Sequence, residues 1–349
     1  MSDAATPTIG LIANPVSARD IRRVVANAGN LQTSDRVNIV LRVLSAAAAC
    51  GVQRVLTMPD RAGLRALLQR ALQRERAREA WPRVEFLDME PTSSVADTFI
   101  ATQRLVQAGV AAIVVLGGDG THRAVVRELR RLAAPIPIAG LSTGTNNAFP
   151  EMREPTVTGI AVGLYASGRV SAASVLAAEK LLEVVVESPH ETRHEIAIVD
   201  AVISAERCVG ARALWKPDSL RAAYLAFADP QCIGLSALGG LLHPVGRRQR
   251  GGLAIDIAPD PHAAAVTLHA PIAPGMVRPV PIAGWRPLAA DAPVAVTQRE
   301  GTVALDGERE LAFERGSRLC ITLRENAFFT LDVTRCMLLA ARHGLLHTR

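Results

Sequence analysis

Over its first 150 residues the chain alternates short apolar runs with longer amphipathic stretches. "TIGLIAN" (8–14) is an apolar run that ends at Asn14-Pro15, and a helical period then runs from Asp35 to Ala49 and stops at Cys50-Gly51. "QRVLTMP" reads as a strand, Asp60 to Arg78 as a helix and "RVEFLDM" as a strand. "TSSVADTFIATQRLVQAG" opens with Ser/Thr capping residues and closes on Gly109, so a helix is expected there. "VAAIVVL" (110–116) is an unbroken β-branched run, the pattern of a strand buried on both faces of a parallel sheet. The helix "THRAVVRELRRLA" and the strand "PIPIAGLS" follow. Strands separated by helices of this length predict βαβ units and a doubly wound, Rossmann-like α/β domain over residues 1–150.

The pattern changes after a helix expected near Thr156–Gly168. "KLLEVVVES", "RHEIAIVDAVIS", "GLAIDIAP", "AAVTLHAP", "APVAVTQREGTVALDGE" and "RLCITLREN" are short β-rich segments punctuated by Gly and Pro. They predict a mainly β, sandwich-like domain over 151–335, with the proline-rich 270–293 stretch as loop or edge. "RCMLLAARHGLL" predicts an amphipathic helix within 336–349 that returns to the first domain.

Composition narrows the classes of function. With 349 residues, 49% apolar and 21% charged, the chain suits a soluble globular protein. No apolar run reaches a membrane span, and the first residues lack a secretory pattern, so a cytoplasmic protein is expected. The five cysteines are scattered without a CxxC, as small buried hydrophobes of a reduced compartment would be. The net charge of +6 is carried almost wholly by arginine, the only lysines being Lys180 and Lys216. The arginines interleave with Glu and apolar residues at helical spacing, which reads as solvated helix faces. With three Trp and two Tyr besides, neither a nucleic-acid nor a membrane partner is expected.

The chemistry concentrates in "VVLGGDGTHRAVV" (114–126). A strand ends at Leu116, where open α/β sheets bind their ligands. Gly117, Gly118 and Gly120 would let the backbone take positive φ and admit a phosphate that a Cβ would obstruct, while Thr121 opens a helix whose positive end favours an anion. Asp119 is anomalous in a phosphate cradle unless it serves a metal or takes a proton, the two tasks of a kinase. A tight turn with Asp119 as helix cap is the plainer alternative. No G-x-x-x-x-G-K-[ST] is present, and no G-x-G-x-x-G follows the first strand, which argues against a P-loop enzyme and a Rossmann oxidoreductase.

The pentamer "GGDGT" after an apolar strand resembles the signature of the superfamily of NAD kinases, diacylglycerol kinases and phosphofructokinases. "IGLIANPVSARDIRR" is similar to its first strand and Asn-Pro loop, and "STGTNNAF" to the Gly-Thr-x-Asn loop of the lipid kinases. "AIVDAVIS" stands where NAD kinases carry an Asn-acid pair, and "VALDGERE" resembles the Asp-Gly-Glu element of lipid and sphingoid kinases. The "ANPVSARDIRR" start and the "MPD" after the second strand resemble the AcoX-like branch.

The resemblance implies an NAD kinase-like fold and transfer of a phosphoryl group from ATP, with Mg²⁺ or another divalent cation, to a hydroxyl group. Asp119 would be the catalytic aspartate. Gly117, Gly118, Gly120 and Thr121, with Gly144, Thr145 and Asn147 of the second loop, would hold nucleotide phosphates. Asn14 would contact the nucleotide, unless it is only an Asx-turn residue before Pro15. Arg19, Arg22 and Arg23 either neutralise phosphate or start a surface helix. Asp200, Asp306 and Glu308 would face the acceptor, although Asp306-Gly307 also reads as a hairpin turn. "CIGLSALGGLLHPV" falls where NAD kinases place a substrate segment, or is a buried strand–turn. His122 and His243, beside these motifs, read as structural.

Two departures bear on the substrate. The lipid kinases' acid after Asn147 is Ala148 here, and the Asn of the NAD kinase pair is Val199. The expected acceptor is thus NAD or another small polar metabolite, the branch name pointing to acetoin catabolism, and the alternative is a nucleotide-binding accessory protein without catalysis. NAD kinases are homo-oligomers, but the sequence shows no seam.

Overall fold

A computed structural model of the chain describes residues 6–14, 31–75, 81–143, 147–206, 219–307 and 309–347. Strands β1 (Thr8–Ala13), β2 (Arg54–Thr57), β3 (Arg83–Phe86), β4 (Ile113–Gly117) and β5 (Ile138–Ser142) pair in parallel in the order β3-β2-β1-β4-β5. Chain direction across the sheet reverses between β1 and β4, and a crevice opens beyond the carboxyl ends of strands at such a switch point.

Strand alternation explains the unbroken apolar run. Ile113 and Val115 enter one core layer, shared with Leu105 of α3 (Val95–Gln107) and Val125 and Leu129 of α4 (Asp119–Arg131). Val114 and Leu116 enter the other, shared with α1 (Thr33–Ala49), α2 (Leu64–Glu75) and α5 (Pro155–Ala166). Both faces are covered, so every position of β4 must be apolar or glycine. Local signals set the helix ends: Ser94 Oγ accepts the amide of Ala96 at the start of α3, and Gly109 takes φ 64° after its end. Asp60 is a start signal rather than a helical residue. Its carboxylate accepts the amides of Ala62, Leu64 and Arg65.

The second half begins by extending the same sheet. β16 (Arg318–Leu331) lies parallel to β5, β6 (Leu176–Glu187) is antiparallel to β16, and β7 (Thr192–Ala197) follows. With β13 (Val294–Ala295) on β16, the described residues form a nine-stranded sheet. A second sheet of seven strands has the order β11-β12-β10-β9-β8-β14-β15. It comprises β8 (Asp200–Ser204), β9 (Leu220–Leu225), β10 (Gly252–Ile257), β11 (Val266–Ala273), β12 (Met276–Leu288), β14 (Gly301–Leu305) and β15 (Arg309–Phe313). Val184, Ile196, Ile321 and Leu323 of the first sheet pack with Ile203, Tyr224, Val303 and Leu305 of the second in one core. The C-terminal half is accordingly a pair of β-sheets.

Several sequence expectations need correction. "RHEIAIVDAVIS" is not one strand: β7 ends at Ala197, the chain turns at Ile198-Val199, and β8 continues in the other sheet. "CIGLSALGGLLHPV" contains a helix, α6 (Leu235–Leu242), opened by Gly234 at φ 79°. Its small residues serve the chain itself, since a Cβ on Gly239 would lie 2.2 Å from Leu225 Cδ1 and one on Gly240 2.2 Å from Pro230 N. The proline-rich stretch, expected as loop or edge, is largely strand, forming β12, which is internal to its sheet, and the second half of the edge strand β11. α5, placed by its number in the β-rich half, packs on α1 of the first. The C-terminal helix α7 (Val333–Arg342) contributes Val333, Cys336 and Ala340 to the core around β1. Among the described residues no helix is long and apolar enough to cross a membrane.

Candidate active site

The glycine turn sits at the carboxyl edge beside the switch point. Gly117 is the last residue of β4, Gly118 caps α4 with φ −91°, and Asp119 is its first residue. None of Gly117, Gly118 and Gly120 uses the positive φ that glycine permits. What requires glycine is crowding. A Cβ on Gly117 would lie 2.6 Å from Thr121 Cβ, and one on Gly118 2.9 Å from Asn147 Oδ1. The space beside the turn is therefore taken up by two side chains that were themselves expected to contact phosphate.

The Asp119 carboxylate is mostly enclosed, at 9% exposure, and lies against the second loop. Oδ2 accepts the amide of Ala148 at 3.0 Å and Oδ1 that of Phe149 at 2.9 Å. Cys232, from the segment before α6, is near enough to feel Asp119. Its thiol is pushed up first by burial and then by Asp229, with Asp119 adding to the rise. Asp119 thus holds the amide side of a segment whose Ala148 carbonyl accepts from Cys232 Sγ at 3.8 Å and from Arg247, both of the second half.

Asn14, at the end of β1, donates from Nδ2 to Thr121 Oγ1 at 3.4 Å, and its carbonyl accepts from the buried Arg36 of α1 at 2.9 Å. Asn147 Nδ2 donates to Ser142 Oγ at 2.9 Å. The fold therefore gathers Asn14, Gly117, Gly118, Asp119, Thr121 and Asn147 around the start of α4, where the first helical amides have no intrahelical acceptor and the helix dipole is positive. Gly144, Thr145, Glu308, Arg19, Arg22 and Arg23 lie outside the described residues.

Asp306 does not belong with that group. Its side chain has no exposure and accepts the amides of Ile198, Val199 and Asp200 at 2.8–3.2 Å, with Arg123 Nε 3.7 Å away. Burial pushes its carboxyl up, against the pull of Arg123 and the three amides. Its expected role toward an acceptor is corrected to a structural one: it holds the turn between β7 and β8 from the β14–β15 hairpin, where Asp306 and Gly307 take φ 49° and 70°. Asp200 is half-buried at the start of β8, on the same turn. Val199, which stands where NAD kinases have Asn, is 1% exposed.

His122 is fully buried; its Nδ1 donates to the Gly118 carbonyl at 2.8 Å, and its ring lies 5.8 Å from that of Phe149. Burial holds its pKa down to about 4, so the imidazole is neutral and supports the turn.

Sequence reasoning missed the residue that joins the halves. Arg247, in the loop after α6, donates to the carbonyl of Ala148, and its guanidinium lies 5.1 Å over the Phe149 ring and 4.8 Å over Phe227. Its loop is fixed by Lys180, whose Nζ donates to the carbonyls of Gly246, Gln249 and Gly251 at 2.6–3.1 Å. The only signals were the basic run "GRRQR" and Lys180, one of two lysines in an arginine-rich chain.

Comparison with known proteins places this arrangement. The ATP-NAD kinase N-terminal domain matches residues 9–170, and the acetoin catabolism protein X C-terminal domain matches residues 180–326. Acetoin catabolism protein X of Cupriavidus necator is 57% identical over 344 residues, covering 98% of this chain and 94% of that one. A structure of a provisionally named diacylglycerol kinase from Bacillus anthracis str. Sterne superposes with a TM-score of 0.53 at 12% identity, covering 93% of this chain and 97% of that one. Another from the same organism gives 0.45 at 13%, covering 93% and 98%. The chain belongs to the acetoin catabolism protein X family, with an NAD kinase-like first half and the fold of the diacylglycerol kinase-like proteins.

Proposed function

We propose that this protein is a phosphotransferase that moves the γ-phosphoryl group of ATP to a hydroxyl of a small polar metabolite. The observation that carries the reading is the Asp119 carboxylate, held at the start of α4 on the amides of Ala148 and Phe149, next to the Ala148 carbonyl that accepts from Cys232 and Arg247 of the second half. Asp119 takes the proton of the acceptor hydroxyl as that oxygen attacks the γ-phosphorus. The new O–P bond forms as the bond to the β–γ bridging oxygen breaks, and ADP leaves. The opening amides of α4 stabilise phosphate charge, with Asn14 and Asn147 at the two sides of the turn.

Among the described residues no group of three or more His, Cys, Asp or Glu is placed to hold a metal ion. A divalent cation such as Mg²⁺ would be carried chiefly by the nucleotide phosphates, with Asp119 as the carboxylate beside them. The cation would supply charge neutralisation on the phosphates.

The acceptor is favoured to be a small hydroxyl compound, in keeping with the acetoin catabolism named for the relative, over NAD. Val199 is buried and apolar, and its amide donates to Asp306, so the position lacks an amide side chain for a dinucleotide. One observation favours a second reading as a nucleotide-binding accessory protein: both Asp119 oxygens already accept backbone amides.

Phosphate transfer from labelled ATP with Mg²⁺, across NAD and a panel of diols and hydroxy ketones, tests the assignment. Product that disappears in Asp119→Asn supports it. ATP binding with no turnover on any acceptor supports the accessory reading.

A further inference from the structure

Beyond the Phe149 ring from Asp119 lies a second cavity, of about 590 Å³. Its walls come from the segment 149–153 after β5, from the loop bearing Arg247 and Arg248, and from the junction of β16 with α7. The Asp119 site and this cavity share the 148–149 segment from opposite sides. The amides of Ala148 and Phe149 serve Asp119, while the Phe149 ring faces the cavity.

Four arginines line it: Arg153, Arg247, Arg248 and Arg335. Arg153 is paired with Glu151, and Arg248 with Asp332 at 2.7 Å. Arg247 has a carbonyl and two aromatic faces as partners, and Arg335 has no side-chain partner among the described residues. The carboxylates of Glu151, Glu179 and Asp332 share the lining, so guanidinium groups outnumber carboxylates by one, and Arg335 is an arginine of the lining without an ion pair among the described residues. The deep wall carries Glu179, 4% exposed, whose Oε1 accepts the Thr330 hydroxyl at 2.8 Å. Its other oxygen makes no hydrogen bond among the described residues. Burial pushes the Glu179 carboxyl up, and burial together with the nearby Arg247 pushes Arg153 down. A carboxyl oxygen that opens on a cavity can accept from a ligand hydroxyl, and a guanidinium without an ion pair beside it favours an anionic group.

We propose that this cavity binds a small hydroxylated anion, such as a phosphorylated polyol or a hydroxy acid. The anionic group meets Arg335 and Arg247, and a ligand hydroxyl donates to Glu179. Lys180 keeps the wall in place by tying down the three carbonyls of its loop, so the site is formed before a ligand arrives. The assignment does not depend on phosphoryl transfer.

Calorimetric titration of the full chain with glycerol 3-phosphate, malate, inorganic phosphate and glycerol, each with MgATP present to occupy the turn at α4, tests it. Saturable binding is expected for glycerol 3-phosphate or malate, with glycerol weakest. Arg335→Met, at an exposed position, is expected to weaken the anions by about tenfold, the loss of one charge-assisted contact. Glu179→Leu is expected to abolish the preference of the protein for glycerol 3-phosphate over inorganic phosphate. No saturable binding by any of the four probes overturns the proposal, and so does binding that Arg335→Met leaves unchanged. Should Glu179→Leu fail to fold, as judged by circular dichroism, the Arg335→Met result decides alone.

Discussion

The guanidinium of Arg247 donates to the carbonyl oxygen of Ala148, and the amide of the same residue donates to Asp119. One peptide segment is thus gripped on both sides, by the β-rich half and by the glycine turn. Arg247→Ala is expected to lower stability by about 1–3 kcal/mol, from the lost hydrogen bond and the two stacked faces. Urea unfolding measures this. Arg247→Lys should recover little, because an ammonium neither stacks nor forks as a guanidinium does.

Crowding at the turn predicts a compensating pair. Gly118→Ala places a methyl against Asn147 Oδ1 at a φ that alanine tolerates, so its cost of about 1 kcal/mol should vanish in the Asn147→Ala background. Gly117→Ala meets three atoms of the stiff Thr121 side chain within 3 Å and should cost more, about 1–3 kcal/mol. Additive losses in the Gly118/Asn147 cycle would refute the packing explanation.

Asp306 anchors a turn distant in sequence. Asp306→Ala leaves the amides of Ile198, Val199 and Asp200 without their acceptor and Arg123 without its carboxylate. A loss of about 3–5 kcal/mol is expected. Retention of stability within experimental error would show that the turn holds itself.

His122 gives a signed pH dependence. Its pKa is about 4 in the folded protein against an ordinary 6.5, so on acidification the unfolded chain takes up the proton first. Stability present above pH 6.5 is therefore lost as the pH falls toward 4, by about 3 kcal/mol in all. In His122→Asn, which keeps a donor for the Gly118 carbonyl, this part of the pH slope should be missing from denaturation curves.

Lys180 offers a local readout. Lys180→Met removes three hydrogen bonds to the carbonyls of residues 246, 249 and 251 and should speed amide hydrogen exchange in that loop while leaving β1 to β5 protected. Unchanged exchange in the loop would mean that Glu325, which accepts the amide of Gly251 at 2.8 Å, suffices to hold it.

The sequence by itself determined the elements and the edge on which the turn lies. Strand and helix periods are local, and the unbroken run ending at Leu116, the capping Ser94 and Gly109 each act within a few residues, so each was legible. The same holds for the pentamer with Asp119 at its centre. Only the tertiary structure decided that "AIVDAVIS" divides between two sheets, because the acceptor that bends it, Asp306, is more than a hundred residues away. Nor could the sequence show that Thr121 and Asn147 crowd the positions where a Cβ on Gly117 and Gly118 would stand. Arg247 was invisible for the same cause: its partners, Ala148, Phe149 and Phe227, share no period with it and meet it only when two sheets close on one another.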